Sequence, residues 1–237
     1  MKKYPYPIKA VIFDNDGVIL DTLPLYYEAL AKLVPPPYPP EVIAKVNGRS
    51  DLEVSAIFVK EFNLSCTPEE FHQKRTKYLQ ELFPHSQLIP GVDLVIKKIY
   101  EMGIPLGVAT GSVREIHELK MLAQPEIYKL FNYILCGDEV KKAKPSPDIF
   151  QAVSAHLGNF DPKNVLVFED AFNGIKAANS AGMPCVLLHR PIEERKTDGL
   201  GHISAEEGLA KVGAFATQII PNFSQFNFDD FDWDISK

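Results

Sequence analysis

Short apolar runs alternate with amphipathic segments along most of the chain. The runs have the length and composition of strands buried on both faces of a parallel sheet; they cover residues 8–13, 105–109, 133–136, 165–168 and 185–188. In the segments between them, apolar residues recur every three or four positions, as in helices with one buried face; these are residues 92–101, 113–122, 147–157 and 171–181. This alternation predicts an α/β fold with a doubly wound parallel sheet.

The segment between the first and second predicted strands differs from the rest of the chain. It contains no strand-like run and shows helical periodicity over residues 25–33, 52–62 and 68–83. Its proline tract, residues 35–40, cannot be helical throughout and predicts an extended spacer. We therefore expect an all-helical insert over residues 21–87 and a sheet-containing core over residues 1–20 and 88–237.

The chain after Pro191 has the weakest pattern. Charged residues come first, and aromatic and acidic residues follow near residues 223–233. We expect a loop, a short helix, an edge strand at residues 217–220 and a tail whose aromatic side chains pack onto the core.

Composition narrows the class of protein. The chain has 237 residues, of which 46% are hydrophobic and 24% charged, which is typical of an ordinary globular protein. Its 25 basic and 31 acidic residues give a net charge of 25 − 31 = −6, which disfavours non-specific nucleic-acid binding. No apolar run approaches the ~18 residues of a membrane span, and the three cysteines form no metal-ligand pattern. We expect a cytoplasmic monomer with free, buried thiols.

Two acidic pairs follow predicted strands. Asp14 and Asp16, with Gly17 after them, follow the first strand, and Glu169 and Asp170 follow the run at residues 165–168. An Asp-x-Asp-Gly sequence is also common in surface turns. The carboxyl ends of parallel strands, however, form the ligand-binding edge of open α/β sheets, so the two pairs together predict a reactive crevice.

Clustered carboxylates repel one another and raise each other's pKa. A divalent cation with oxygen ligands removes this repulsion, and Mg²⁺ binds through one or two carboxylates together with substrate phosphate. The sequence therefore predicts a magnesium site. Glu169 and Asp170 could also cap the helix that follows them.

Two further motifs indicate anion binding. Thr110, Gly111 and Ser112 follow the strand at residues 105–109 and precede a helix, whose N-terminal N–H groups attract anions. Ser and Thr are also ordinary helix caps there. Lys144 lies in a loop stiffened by two prolines; it is either a solvated lysine or a cation fixed beside a phosphate.

In combination, these motifs resemble the four ordered motifs of the haloacid dehalogenase superfamily. They are Asp14-Asn15-Asp16-Gly17, Thr110, Lys144 in a Lys-Pro-x-Pro-Asp context, and Glu169-Asp170. The resemblance spans roughly residues 8–190. It implies a Rossmann-like core with a helical cap inserted after the first motif, and it implies phosphoryl transfer, because the Asp-x-Asp of phosphate-handling members is present.

The resemblance also implies a role for each residue. Asp14 would be the nucleophile that becomes an aspartyl phosphate, and Asp16 the general acid and base. The phosphate would be bound by Asn15, Thr110, Gly111 and Lys144. The Mg²⁺ ion would be held by Asp14, the Asp16 backbone carbonyl, Asp170 and Glu169, the last either directly or through water.

The sequences that surround these motifs look most like those of small-cap phosphatases of the pseudouridine-5′-phosphatase and riboflavin-phosphate phosphatase type. Such an enzyme would hydrolyse a small sugar, nucleotide-like or flavin phosphate. A β-phosphoglucomutase-like mutase is an alternative, although Tyr26 stands where that enzyme carries a cap-side histidine. A binding protein with a lapsed active site is a second alternative. In the predicted cap, Asn47, Gly48 and Arg49 lie where this family presents a specificity loop.

Overall fold

The computed structural model describes residues 4–46, 49–191 and 215–235, and its centre is a six-stranded sheet. All six strands are parallel, in the spatial order β4-β3-β2-β5-β6-β7. Their bounds are Ala10–Phe13 (β2), Leu106–Ala109 (β3), Tyr133–Leu135 (β4), Val165–Glu169 (β5), Cys185–Leu188 (β6) and Gln218–Ile220 (β7). A separate two-residue strand, β1, covers Pro7–Ile8. The predicted α/β class and parallel sheet are confirmed, and so is the edge strand near residues 217–220.

Helices cover both faces of this sheet. They are Val92–Glu101 (α5), Arg114–Met121 (α6), Pro125–Tyr128 (α7), Asp148–Leu157 (α8) and Phe172–Ser180 (α9). Alternate residues of β2 point to opposite faces: Val11 and Phe13 pack with α5, whereas Ala10 and Ile12 pack with α8 and α9. Because the central strands are buried on both faces, their sequences read as continuous apolar runs.

The aromatic tail packs onto the core, as predicted. Phe223, Phe226 and Phe231 are buried in the same cluster as α5, and the Phe226 ring lies 5.0 Å from that of Phe168. The described part of the tail also contains a short strand, Asp232–Trp233 (β8), which pairs in parallel with β1. The loop and helix that we expect directly after Pro191 lie outside the described residues.

Among the described residues of the insert are four α-helices, one more than the periodicity predicts. They are Leu23–Ala31 (α1), Pro40–Val46 (α2), Asp51–Glu61 (α3) and Pro68–Leu82 (α4). Capping boxes begin two of them, with Ser50 and Glu53 at α3 and Thr67 and Glu70 at α4. The additional helix, α2, begins at Pro40, the last residue of the tract predicted to be an extended spacer. Proline is tolerated in the first turn of a helix, so the tract ends where a helix can begin.

The insert joins the sheet-containing part through two adjacent chain segments. Leu20 and Leu88 form an antiparallel bridge, and the Asp21 amide donates to the Gln87 carbonyl. Arg190, which is buried, also binds the Asp21 carboxylate with two nitrogens at 2.8 and 3.2 Å. We propose that the insert and the core divide between residues 20 and 21 and between residues 87 and 88. The pairing of these two chain segments supports the proposal.

Within the described ranges, no helix is both long and apolar enough to span a bilayer. The three cysteines are free thiols, as expected; Cys136 and Cys185 are buried, but Cys66 is only partly so.

Candidate active site

Three adjacent strands bring the predicted site residues to one edge of the sheet. β2 lies between β3 and β5, so the residues after Phe13, Ala109 and Phe168 are neighbours although far apart in sequence. The Asp14 amide donates to the Phe168 carbonyl at 2.9 Å, which extends the β2–β5 ladder into the site. One difference from the prediction is that β5 continues through Glu169.

Lys144 lies at the centre of this edge. Its Nζ donates to Asp14 Oδ1 at 2.6 Å, to Glu169 Oε1 at 2.6 Å and to the Ala109 carbonyl at 3.0 Å. Burial would lower the pKa of Lys144, but the two carboxylates outweigh this effect and hold the pKa above its ordinary value. The lysine is therefore a fixed cation within the site rather than a solvated surface residue.

The other oxygen of Glu169 is also occupied. Glu169 Oε2 accepts from the backbone N–H groups of Asp170 and Ala171 at 3.0 and 3.1 Å. The carboxylate packs against Gly174, where a Cβ atom would lie 1.8 Å from Glu169 Oε1. With Lys144 on one oxygen and two N–H groups on the other, Glu169 positions the lysine and holds the turn before α9. The expected capping of the helix is wrong, because α9 has no side-chain hydrogen bond at its N-cap, Ala171.

Three carboxylates converge beside Lys144. Asp14, Glu169 and Asp170 each offer an oxygen atom, and these oxygens lie within 4.8 Å of one another. Gly17 makes room for this group, because a Cβ atom there would lie 2.0 Å from Asp170 Oδ2. Burial raises the pKa of Asp14 well above its ordinary value, Lys144 offsets part of that rise, and the neighbouring carboxylates add to it. The site thus carries more negative charge than Lys144 balances, which is the condition that a bound cation relieves.

The Asp16 carboxylate points away from this group toward α6. Its Oδ1 accepts from Lys120 Nζ at 2.6 Å and from Thr22 Oγ1 at 2.7 Å, and its Oδ2 accepts from Ser112 Oγ at 3.1 Å. Burial would raise the pKa of Asp16, but the charge and hydrogen bond of Lys120, with hydrogen bonds from Thr22 and Asn15, lower it to about 2. Asp16 is therefore ionised in this arrangement.

Two of the predicted phosphate-binding residues have side chains that are occupied elsewhere. Asn15 is fully buried, accepts a short hydrogen bond from the Tyr128 hydroxyl and donates to Asp16. Thr110 is also fully buried, and its Oγ1 accepts from the Ser112 amide at 3.1 Å. Neither residue lines the cavity described below, whereas Gly111 and Ser112 do. In this structure both side chains shape the loops around the site.

A cavity of about 680 Å³ lies between the acidic edge of the sheet and the insert. Asp14, Lys144 and Asp170 line its floor, and residues of α1, α3 and α4 line the facing wall. Arg49 also lines the cavity and pairs with Glu53 at 3.3 Å. Asn47 and Gly48, predicted with Arg49 to bind substrate, lie outside the described residues.

A comparison with protein families matches residues 11–188 to the haloacid dehalogenase-like hydrolases. The chain belongs to this family. The match contains both acidic pairs and Lys144, and it includes the whole insert. The resemblance deduced from the motifs is thereby confirmed.

Several curated relatives carry the names of phosphatases. A mitochondrial (DL)-glycerol-3-phosphatase of Arabidopsis thaliana is 38% identical over 76% of this chain, and the alignment covers 64% of that relative, slightly under two thirds. A probable pseudouridine-5′-phosphatase of Drosophila melanogaster is 31% identical over 93% of this chain and 92% of its own length.

Solved structures of the family share the fold. The β-phosphoglucomutase of Clostridium difficile is 26% identical and superposes with a TM-score of 0.66, covering 93% of this chain and 94% of that protein. The likeness extends over the insert as well as the sheet, which confirms the predicted architecture of a Rossmann-like core with a helical cap.

Lys120 is a site residue of this haloacid dehalogenase-like hydrolase that the sequence analysis did not identify. It is completely buried, and besides Asp16 its Nζ contacts Ser112 Oγ at 2.9 Å and the Tyr26 hydroxyl at 3.3 Å. A signal was present, since Lys120 follows Val113, Ile116 and His117 at the three- and four-residue spacing of one helix face. A lysine on such a face requires a buried acidic partner.

Proposed function

We propose that the chain is a magnesium-dependent phosphatase that hydrolyses a small phosphorylated metabolite through an aspartyl-phosphate intermediate. The observation that carries this proposal is the position of Lys144, bonded to both Asp14 and Glu169 beside Asp170 on the floor of the cavity. A nucleophilic carboxylate, a fixed cation and an acidic group suited to a divalent ion are the parts that phosphoryl transfer requires.

The three carboxylates of Asp14, Glu169 and Asp170 are suited to bind Mg²⁺. Their three oxygens lie close enough to share one ion, and oxygen ligands suit a hard cation. Burial, and after it the neighbouring carboxylates, raise the pKa of Asp14, and a bound cation would oppose this rise. Asp14 and Asp170 would hold the ion with the Asp16 backbone carbonyl, and Glu169, whose oxygens are already bonded, would contact it through water. When bound, Mg²⁺ supplies positive charge that polarises the phosphoryl oxygens.

Asp14 would attack phosphorus and displace the alcohol. A bond forms between Asp14 and phosphorus, the ester bond breaks, and the departing alkoxide takes a proton from Asp16. Water would then attack phosphorus and give a proton to Asp16, while the bond between phosphorus and Asp14 breaks and phosphate is released. Lys144 and the N–H groups near Gly111 would stabilise charge on the transferring group.

Asp16 must carry a proton before the first step. With Lys120 and Thr22 hydrogen-bonded to it, the carboxylate is ionised and suited to accept the proton of water in the second step. Donation to the alcohol requires the protonated form, so Asp16 must take up a proton when the substrate binds, before the ester bond breaks.

A mutase remains the second candidate, because the solved β-phosphoglucomutase shares the fold over nearly the whole chain. Tyr26 is evidence against a mutase, because it stands where the mutase pattern has a histidine and therefore supplies no imidazole. Its hydroxyl contacts Lys120 instead. Incubation with β-glucose 1-phosphate and a bisphosphate primer separates the two. Glucose 6-phosphate forming faster than free phosphate would identify a mutase.

A non-catalytic binding protein would be expected to have lost at least one of four residues, yet Asp14, Asp16, Lys144 and Asp170 are all present. We propose that the chain acts as a monomer in a reducing compartment such as the cytoplasm and does not bind nucleic acid. Its free thiols and net charge of −6 support this proposal.

Turnover of p-nitrophenyl phosphate with and without Mg²⁺ tests the proposal. We expect metal-dependent release of p-nitrophenol by the native chain and its loss in Asp14→Asn. Equal release by the native chain and this variant, or release that is indifferent to Mg²⁺, would refute the assignment.

A further inference from the structure

One face of α4 presents hydrogen-bonding groups to the cavity. His72, Thr76 and Gln80 all line it, and they recur at intervals of four residues. Residues four apart on a helix lie about 6 Å apart along its axis and share one face. The wall opposite the acidic floor therefore carries an imidazole, a hydroxyl and an amide in a row.

His72 has a polar atom without a protein partner. Its Nδ1 is buried and makes no hydrogen bond with the described residues. Buried polar atoms in native proteins are nearly always satisfied by protein, water or ligand. His72 also lines the cavity, so a rotation of its ring would present this unpaired nitrogen to a ligand hydroxyl.

The phenyl and phenol rings that line the cavity are already covered. Lys120 Nζ lies 4.5 Å from the centre of the Phe83 ring and 5.4 Å from that of Tyr26. The Arg75 guanidinium lies 5.6 Å from the Tyr26 ring, and the two rings contact each other edge to face. Nucleobases and flavins are usually held by stacking on aromatic faces, and these two rings offer little face for it.

The charges of the wall are unsuited to a second phosphate. Arg49 is paired with Glu53, and Asp51, which also lines the cavity, is paired with Arg75. Glu115 adds a further acidic group to the lining. A substrate whose remote end is neutral meets less repulsion here than a bisphosphate.

We propose that the substrate is the phosphate monoester of a small polyol or sugar, whose hydroxyl groups are bound by His72, Thr76 and Gln80. This proposal rests on the phosphatase function and names the substrate class of the same site. The phosphate end lies on the acidic floor with the metal and Lys144, and the hydroxylated end lies against α4.

A substrate panel tests the proposed class. Steady-state kcat/KM is measured for glycerol 3-phosphate, fructose 1-phosphate, uridine monophosphate, flavin mononucleotide and fructose 1,6-bisphosphate. We expect the better of the first two to exceed each of the last three by about tenfold or more, the scale of a few hydrogen bonds gained or lost. A nucleotide, a flavin or the bisphosphate performing equally well would overturn the proposal.

Paired variants test the wall itself. Thr76→Val and Gln80→Leu keep the side-chain size and remove hydrogen-bonding groups. Each should lower the ratio of kcat/KM for the preferred polyol or sugar phosphate to that for p-nitrophenyl phosphate by about fivefold. Gln73→Leu makes the same exchange on the exposed side of α4, outside the cavity, and should leave the ratio unchanged. An unchanged ratio in both cavity variants would refute a role for this face.

Because p-nitrophenyl phosphate reports the phosphoryl-transfer step, the two proposals fail differently. If it is hydrolysed but the polyol and sugar phosphates are not preferred, the substrate class is wrong and the phosphatase function stands. If neither it nor any panel member releases phosphate, the phosphatase function itself is wrong.

Discussion

Lys120 donates a hydrogen bond to Asp16 across 104 residues of sequence, at 2.6 Å. The lysine is completely buried, while about a quarter of the Asp16 side chain is exposed to the cavity. Lys120 also packs on the rings of Tyr26, near the beginning of the insert, and Phe83, near its end. One side chain thus joins the proposed acid and base to the two ends of the insert.

Lys120→Met should reduce catalysis through Asp16 while keeping an apolar chain on the two rings. Asp16 loses its strongest partner, so its pKa rises and its orientation loosens. We expect kcat for p-nitrophenyl phosphate to fall about tenfold or more, within the range that general acid–base groups contribute. Lys97→Met, an exposed lysine on α5, serves as the matched control. Equal kcat values in both variants would contradict the positioning role.

Asp14→Asn and Asp16→Asn should differ in covalent phosphorylation. The first removes the nucleophile, so mass spectrometry should detect no phosphoenzyme. The second keeps the nucleophile and should slow turnover by about a hundredfold or more, with phosphoenzyme accumulating if its hydrolysis is slowed most. Phosphorylation of Asp14→Asn would exclude Asp14 as the acceptor.

Gly174→Ala should inactivate the enzyme although it favours the helix. Alanine in a helix is about 1 kcal/mol better than glycine, so propensity alone predicts stabilisation of α9. The added Cβ would, however, overlap the Glu169 carboxylate and displace it from Lys144. We expect a loss of kcat of about tenfold or more. Ser180→Ala, at the exposed end of α9, should retain native activity and controls for a general effect of alanine in this helix.

His117 should make the protein less stable in mild acid. Its ring is buried against Tyr128, both ring nitrogens lack partners among the described residues, and burial lowers its pKa to about 4. Between about pH 6.5 and pH 4 the unfolded chain binds a proton on this histidine and the folded chain does not. The free energy of unfolding therefore decreases as the pH is lowered through this range. The full effect is about 3 kcal/mol.

Thermal unfolding at pH 7.5 and pH 5 measures this effect. His117→Leu should lose less stability between the two pH values than the native chain does. His156→Gln, at an exposed position on α8, should behave like the native chain. Identical pH dependence in native and His117→Leu proteins would assign the acid sensitivity to other groups.

Metal removal should abolish turnover reversibly. Chelation should stop p-nitrophenol release and added Mg²⁺ should restore it, because the buried carboxylates otherwise repel the phosphate. Asp170→Asn removes one charge of the group and should raise the Mg²⁺ concentration needed for half-maximal rate by about tenfold or more, since carboxylate charge sets affinity for such ions. If the variant reached half its maximal rate at the same Mg²⁺ concentration as the native chain, Asp170 would be excluded as a ligand.

The strands and most helices could be predicted from sequence because burial imposes regular patterns. The proximity of Asp14 to Glu169 and Asp170 could be predicted because the carboxyl ends of parallel strands lie at the same edge of the sheet. The side-chain directions do not follow from it. Asn15 turns inward to Tyr128 because a partner from α7 lies there, and no local pattern encodes that contact. Helix α2 escaped prediction because seven residues after a proline tract carry little periodicity.

The bridge between Leu20 and Leu88 has a consequence for how such a protein can change. The chain enters the insert after Leu20 and leaves it before Leu88, and these two points lie side by side. A segment of any length inserted between them therefore leaves the pairing of β2 with its neighbours undisturbed. Under the proposed division, most of the reaction chemistry and most of the choice of substrate fall on separate stretches of one polypeptide, which meet where Thr22 of the insert bonds to Asp16. A lineage could exchange the second without rebuilding the first.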